Sequence, residues 1–313
     1  MEQRGKAQAA GRLRAALAMV WLAVGPGVAI KGADAPDPSA PKIRIAVSTS
    51  LSGLLNQNDV RAAIKVWQEG LSQQMKMRVE YLGGVPLPPE PILEAMRNGT
   101  VDAATVTGSE IPRMMPYLDT SVTLVDSYYV HGGEEYIVLV NEDSGIHSLK
   151  ELRGHTLLIH DAVVMTLARD WLEVRLAVTH EGPARRFFAN IETQNKLSKV
   201  VLPVFFRQTD ACLVAQRAFA TMCELNPQLG KKLKVLALSE KLVPVVIAFR
   251  KTCPPEVKAR FIAAIQGLSS TVYGRQILTF FQSSSVTPMD GAVLGPTLKM
   301  LAEAEQITGR ARN

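Results

Sequence analysis

The chain reads NGTVDAATVTG from Asn98 to Gly108 and RQTDACLVAQ from Arg207 to Gln216. Each stretch leaves a helical pattern, passes a short polar turn, places Asp-Ala at 102–103 or 210–211, and runs into an apolar strand. A repeat of this kind predicts two similar α/β lobes. In open α/β sheets a small ligand settles beyond the carboxyl ends of the strands, so the expected site is a cleft between the lobes.

The neighbouring segments extend the pattern on both sides. Residues 43–47 read as a strand and 48–53 (STSLSG) as the polar loop after it. Val60, Ala63, Ile64, Trp67, Leu71 and Met75 then recur at helical spacing, with Asn58 as a candidate N-cap. A strand at 77–82, a Pro-marked turn and a helix ending at Asn98-Gly99 lead into the first Asp-Ala strand. The order strand, helix, strand, helix, strand belongs to a mostly parallel sheet with helical crossovers. After a strand at 136–140 the pattern restarts. The second unit is expected to hold strands at 156–160 and 187–191, the second Asp-Ala strand and a strand at 234–238, after which a last strand at 245–249 returns to the first lobe. Residues 42–140 with 244–313 are assigned to lobe 1 and 141–243 to lobe 2. Two crossings between lobes make a two-strand hinge, a geometry suited to closure over a ligand.

The N-terminus carries Arg4, Lys6, Arg12 and Arg14, then an apolar run at 15–24 and a small-residue exit ending at Ala29. This is the pattern of a secretory signal, expected over 1–29 and followed by a flexible leader at 30–41. The apolar run is too short for a membrane anchor. The signal holds four basic residues and one acidic one, so its removal lowers the formal charge from +6 to about +3. With no Lys/Arg stripe interleaved with aromatics, nucleic acid is not an expected partner. Hydrophobic residues at 47% and charged residues at 20% describe a globular chain. Cys212, Cys223 and Cys253 read as buried free thiols, although a bridge between Cys212 and Cys223 stays open. No metal site or cofactor is implied.

The ordered set from the STSLSG loop through EAMRNGTVDAATVTG, YIVLVNEDSGIHSLKELRGHTLLIHD and VLPVFFRQTDACLVAQRAFATMCELNPQLGKKLKVLALS resembles the phosphate/phosphite/phosphonate periplasmic substrate-binding proteins of ABC transporters. The resemblance covers roughly 42–300. It implies a type II periplasmic-binding-protein fold, no catalysis, periplasmic residence, and delivery of a small polar solute to an inner-membrane ABC permease. It also implies that the second lobe's first helix begins with a Ser/Thr-rich turn that holds an oxyanion. Here that turn reads HDAVVMT, with Asp161 at the cap and only Thr166 keeping a hydroxyl. A carboxylate in that place repels an anion.

The strand-end rule directs four loops at the cleft: 48–53, 107–110, 161–166 and 215–217. Ser48, Thr49, Ser50 and Ser52 are candidate oxygen donors to a ligand, or an ordinary capping loop. Thr107, Gly108 and Ser109 have the same two readings, because Gly lets a ligand approach the backbone. Arg217 is either an anion clamp or a solvated first-turn arginine. His160 is a ligand donor, a pH-sensitive group or a satisfied histidine, and Tyr128 lines the cleft or packs the hinge. Asp102 and Asp210 sit at the far ends of their strands, where turn formation is the expected role. The expected product is a monomeric binding protein for a small polar ligand, with a phosphonate- or phosphate-like oxyanion as one candidate. The alternative is a periplasmic sensor or scaffold acting through a receptor kinase. An enzyme would need a nucleophile with its base or a metal set, and no G-x-S-x-G, HExxH or Walker motif is present.

Overall fold

The computed structural model describes residues 41–51, 57–131, 133–280 and 283–309. The expected signal segment, most of the leader and Ser52 lie outside the described residues.

Eleven strands among the described residues form two sheets. The first holds β1 (Lys42–Val47), β2 (Arg78–Tyr81), β3 (Ala103–Thr107), β4 (Leu118–Asp126), β10 (Val245–Arg250) and β11 (Val286–Met289), in the order β11-β4-β10-β3-β1-β2. The second holds β5 (Tyr136–Asn141), β6 (Thr156–His160), β7 (Asn190–Gln194), β8 (Ala211–Ala215) and β9 (Leu233–Leu238), in the order β7-β6-β8-β5-β9. The two sheets share one plan. β1 runs parallel to β2 and β3, as β6 does to β7 and β8, and one reversed strand, β10 or β5, lies against the Asp-Ala strand. Ile45 is opposite Ala103, and Leu157 is opposite Ala211.

The paired aspartates do the same work at the same register. Asp102 accepts the backbone N–H of Arg44 at 2.9 Å, and Asp210 accepts that of Thr156 at 2.8 Å. Each carboxylate thus ties its strand to the parallel neighbour instead of closing an Asx turn. Asp102 goes further: it is 3% exposed and also takes the guanidinium groups of Arg44 and Arg250, at 2.7 and 3.1 Å to Oδ1. Asp210 meets the His155 ring at 3.3 Å in a more open setting.

Helices cover both faces of both sheets, which is why the strands read as nearly continuous apolar runs. On the first sheet, α1 (Gln57–Met75), α9 (Pro255–Gln266) and α10 (Val272–Phe280) put Trp67, Phe261 and Ile277 against Ile43, Ile45 and Phe249. The opposite face, with Ala46, Ala104 and Val106, meets α2 (Pro89–Asn98) and α3 (Ile111–Met114). Gly99 ends α2 in the left-handed conformation that Asn98-Gly99 predicts, at φ 71°. On the second sheet, α4 (Ala168–Val178), preceding α5 (Ala184–Phe187), packs Trp171 and Leu172 on Leu157 and Leu213. α6 (Leu197–Phe205) covers the other face, where Val200 and Val204 meet Leu139 and the free thiol Cys212. α7 (Gln216–Leu225) and α8 (Pro227–Lys232) follow β8, and the chain's last helix, α11 (Gly295–Thr308), places Met300, Leu301 and Ala304 in the cluster around Trp171. That helix belongs by sequence to the stretch that returns to the first sheet, yet its apolar face packs on the second. The three cysteines are free, so the Cys212–Cys223 bridge is not formed.

The expected strand at 187–191 is displaced. Pro183 opens the helical turn α5, Phe187 is buried there, and the strand β7 starts at Asn190. β4 and β11 had no counterpart in the sequence reading. β4 carries the polar run Asp119-Thr120-Ser121 before its apolar end, which hides its alternation.

The chain leaves the first sheet after β4 and returns before β10. The two crossing segments pair as an antiparallel bridge, with Glu134 N–H donating to Leu242 O at 2.7 Å and Leu242 N–H to Glu134 O at 2.9 Å. Gly133 beside them has φ 132°, and a Cβ there would lie 2.4 Å from Leu242 O. Only glycine fits that approach.

Candidate functional site

The carboxyl ends of β1 and β3 bring Ser48, Ser50, Thr107 and Ser109 together around a residue that the sequence reading did not single out, Glu110. The Ser48 and Ser50 hydroxyls both donate to Glu110 Oε1 at 2.7 Å, and Thr107 N–H donates to Oε2 at 2.8 Å. Glu110 is 8% exposed, and Ser48 is fully buried. Thr107-Gly108-Ser109-Glu110 has the T-x-x-E form of a capping box, in which the glutamate reaches back to the N-cap N–H. That signal was available from sequence; the arrival of two more hydroxyls from β1 was not. Thr107 and Ser109 hydroxyls also pair at 2.9 Å. Thr49 follows Ser48, and its N–H donates to Leu87 O at 2.9 Å.

Glu110 therefore gathers donors from the ends of two neighbouring strands. Two hydroxyls and one backbone N–H converge on a carboxylate, the donor set that a phosphonate oxygen would require. The open cleft beside it is lined by Ser50, Ser109, Glu110 and Arg113, with Asp170 of α4 on the facing side. Arg113 is in an ion pair with Glu90.

Gly108 lies at the junction between the crossings. Its N–H donates to Pro244 O at 2.7 Å, and a Cβ would lie 2.4 Å from Val243 O. Its glycine is needed for backbone against backbone. Thr166, from the second sheet's turn, reaches the same Pro244 carbonyl at 3.2 Å.

Tyr128 and Arg217 meet at the crossing around a second residue that the sequence reading missed, Glu134. The Arg217 guanidinium lies 4.2 Å from the Tyr128 ring centroid, and its Nη2 lies 3.6 Å from Glu134 Oε2. Glu134 is 1% exposed, and neither carboxylate oxygen completes a hydrogen bond within the described residues. Burial pushes its carboxyl pKa up. Arg217, and the N–H groups of Glu135 and Arg217 that face it, offset this only in part. Tyr128 is raised as well, by burial first and by Glu134 second. No sequence pattern marks Glu134, because its burial comes from the pairing of two segments distant in the chain.

His160 and Asp161 end β6. His160 is half-buried, its Nδ1 has no partner within the described residues, and burial lowers its pKa against the pull of Asp161. Asp161 is exposed and does not cap a helix. After β6 the chain makes a 3-10 turn, Val163–Met165, and α4 begins only at Ala168. The Tyr136 hydroxyl fixes that turn by donating to Val164 O at 2.8 Å.

Two α/β sheets of one plan, joined by paired crossings with their strand ends converging, define the type II periplasmic-binding-protein architecture. The sequence matches the family described as "ABC transporter, phosphonate, periplasmic substrate-binding protein" over residues 55–294. The chain belongs to that family, the substrate-binding proteins of ABC transporters. It resembles the structure of XAC2383 from Xanthomonas citri bound to ATP, with a TM-score of 0.60, 17% identity, and coverage of 87% of this chain and 100% of that one. PhnD1 from Prochlorococcus marinus in complex with methylphosphonate gives a TM-score of 0.55 at 13% identity, covering 85% and 99%. A binding protein component of an ABC phosphonate transporter from Pseudomonas aeruginosa gives 0.52 at 16% identity, covering 87% and 90%. At these identities the likeness concerns the fold. Among curated proteins nothing matches. No helix among the described residues is long and apolar enough to cross a membrane.

Proposed function

We propose that the chain is exported by its N-terminal signal, captures a small solute that is not a free oxyanion between the strand ends of its two sheets, and presents it to an ABC permease. The observation that carries the ligand reading is the convergence of Ser48, Ser50 and Thr107 on Glu110. A phosphate or phosphonate at those donors would have to displace a carboxylate already bonded to them. It would then lie near Glu110 and Asp170 with Arg113 committed to Glu90. In this reading Ser48, Thr49, Ser50, Thr107, Gly108 and Ser109 frame the first-sheet side of the site. His160, Asp161 and Thr166 frame the second, and Tyr128 and Arg217 hold the crossing about which the lobes close.

Thermal-shift screening of the exported protein against phosphate, phosphite, methylphosphonate, sulfonates, amines and amino acids tests the ligand reading. A ligand at 100 times its dissociation constant adds about 2.7 kcal/mol. Free oxyanions are expected to add nothing, and stabilisation by phosphate or methylphosphonate would overturn the reading. Cross-linking in the periplasm tests delivery. A permease subunit is the expected adduct, and a receptor kinase in its place would move the chain to a sensing role.

A further inference from the structure

The chain passes between the lobes a third time, at its end. β11 pairs with β4 in the first sheet, with Met289 opposite Thr123, and Asp290 then caps a 3-10 turn, Gly291–Leu294, by accepting the Ala292 N–H at 2.8 Å. Leu294 is buried in the first lobe with Val106, Ile111 and Val246, and Leu298 of α11 packs, partly buried, on the same cluster. Further along the helix, Met300, Leu301 and Ala304 are buried with Trp171 and Leu172 of the second lobe. A helix rises about 1.5 Å per residue, so one apolar stripe changes from the first core to the second within about 10 Å.

Thr297 stands at the changeover. It is 1% exposed, and its Oγ1 accepts the Val243 N–H of the return crossing at 2.8 Å. Its methyl group lies beside Gly108, where a Cβ would come within 3.3 Å of it. α11 also touches α3 and the turn Gly108–Glu110 that carries the candidate site. The two sides of the helix hold unequally. On the second lobe three side chains are almost wholly buried, whereas on the first the helix offers Leu298 and one hydrogen bond. Apolar stabilisation follows the area covered, so α11 separates from the first lobe before the second. Gly295 and Pro296, both exposed, join the helix to the turn, and no atom lies within 4 Å of a Cβ built on Gly295. That open junction gives the helix room to swing.

We infer that α11 is a strap: it travels with the second lobe and latches onto the first through Thr297 and Leu298, so that the lobes are held together before a solute arrives. Closure over a solute then tightens contacts already made, and opening requires the latch to break. The two crossings alone would leave the lobes free to rotate. The strap goes beyond the proposed capture and depends neither on the class of solute nor on a permease, so its test and theirs can fail separately.

Nitroxide labels at Glu94→Cys in the first lobe and Arg185→Cys in the second, both exposed positions, report the lobe spacing by double electron–electron resonance. A Cys223→Ser background removes the one cysteine that is not buried. Without added solute, the protein with its native strap is expected to give one narrow distance distribution. Leu298→Ala removes packing on the first lobe without lowering helix propensity, and is expected to add a second population at longer distance. Amide exchange followed by NMR supplies the second readout. In Leu298→Ala the Val243 N–H should exchange about tenfold faster while that of Ala304 is unchanged, because the helix stays on the second lobe. Should Leu298→Ala not fold, Thr297→Val, which keeps the shape and removes the acceptor of Val243, is read by the distance alone. A broad distribution with the native strap, a distribution unchanged in the variant that folds, or equal acceleration at Val243 and Ala304 would overturn the inference.

Discussion

Ser48 donates its hydroxyl to Glu110 Oε1 at 2.7 Å from a fully buried position at the end of β1. A serine in this place is a natural donor to a bound anion, and here a residue of the neighbouring loop has taken its hydrogen bond. Glu110→Ala removes the acceptor of three donors at once. The expected loss is about 1–3 kcal/mol of stability, seen as a lower urea midpoint with an unchanged slope.

Asp102 carries the pairing of β1, β3 and β10. Burial alone would push its carboxyl up, but hydrogen bonds from Arg44 and Arg250 outweigh burial and hold it below the usual range. A lowered folded-state pKa contributes stability that is present above the unfolded value of 3.8 and lost as pH falls through the folded one. Asp102→Ala should cost about 3 kcal/mol at neutral pH. The gap between variant and wild type should shrink below pH ~4, as read by chemical denaturation across pH.

The opposite sign applies to Glu134. Its raised pKa means that the folded state favours the protonated form, so its contribution is most favourable below the unfolded value of 4.5 and is lost as pH rises through the folded one. Glu134→Gln should therefore raise stability at neutral pH by about 1–3 kcal/mol and flatten the pH dependence above pH ~4.5. Arg217→Ala should destabilise the wild type and do so much less in the Glu134→Gln background. Equal effects in both backgrounds would contradict the pairing.

Gly108→Ala tests the junction of the two crossings. The new Cβ would lie 2.4 Å from Val243 O, a backbone atom that cannot move without shifting the return segment. A loss of about 1–3 kcal/mol is expected, along with faster amide exchange at Gly108, which donates to Pro244, and at Leu242, which pairs with Glu134.

The two-lobe plan was legible because its signals are local. The repeated Asp-Ala turns mark parallel strands at matching registers, Ile45 with Ala103 and Leu157 with Ala211. Gly99 likewise ended α2 where Asn98-Gly99 pointed. Long-range pairing was not legible. β4 is recognisable only through its neighbours β10 and β11, and α11 turns to the second sheet because Met300 and Leu301 find Trp171 there. The site divides in the same way. The hydroxyls on the loops that end β1 and β3 are visible in the sequence, but their bond to Glu110 depends on a contact between Ser48 and a residue 62 positions away. Glu134 is the extreme case, since burial of an ordinary loop carboxylate arises only when Leu242 pairs beside it.

The claim that Glu110 occupies the anion's place is tested most directly by calorimetric titration of phosphate and methylphosphonate into the wild type and Glu110→Ala. The account predicts no measurable binding to the wild type and saturable binding to Glu110→Ala, where Ser48, Ser50 and the Thr107 N–H are released. Tight binding of either anion to the wild type, weakened by Ser50→Ala, would contradict it.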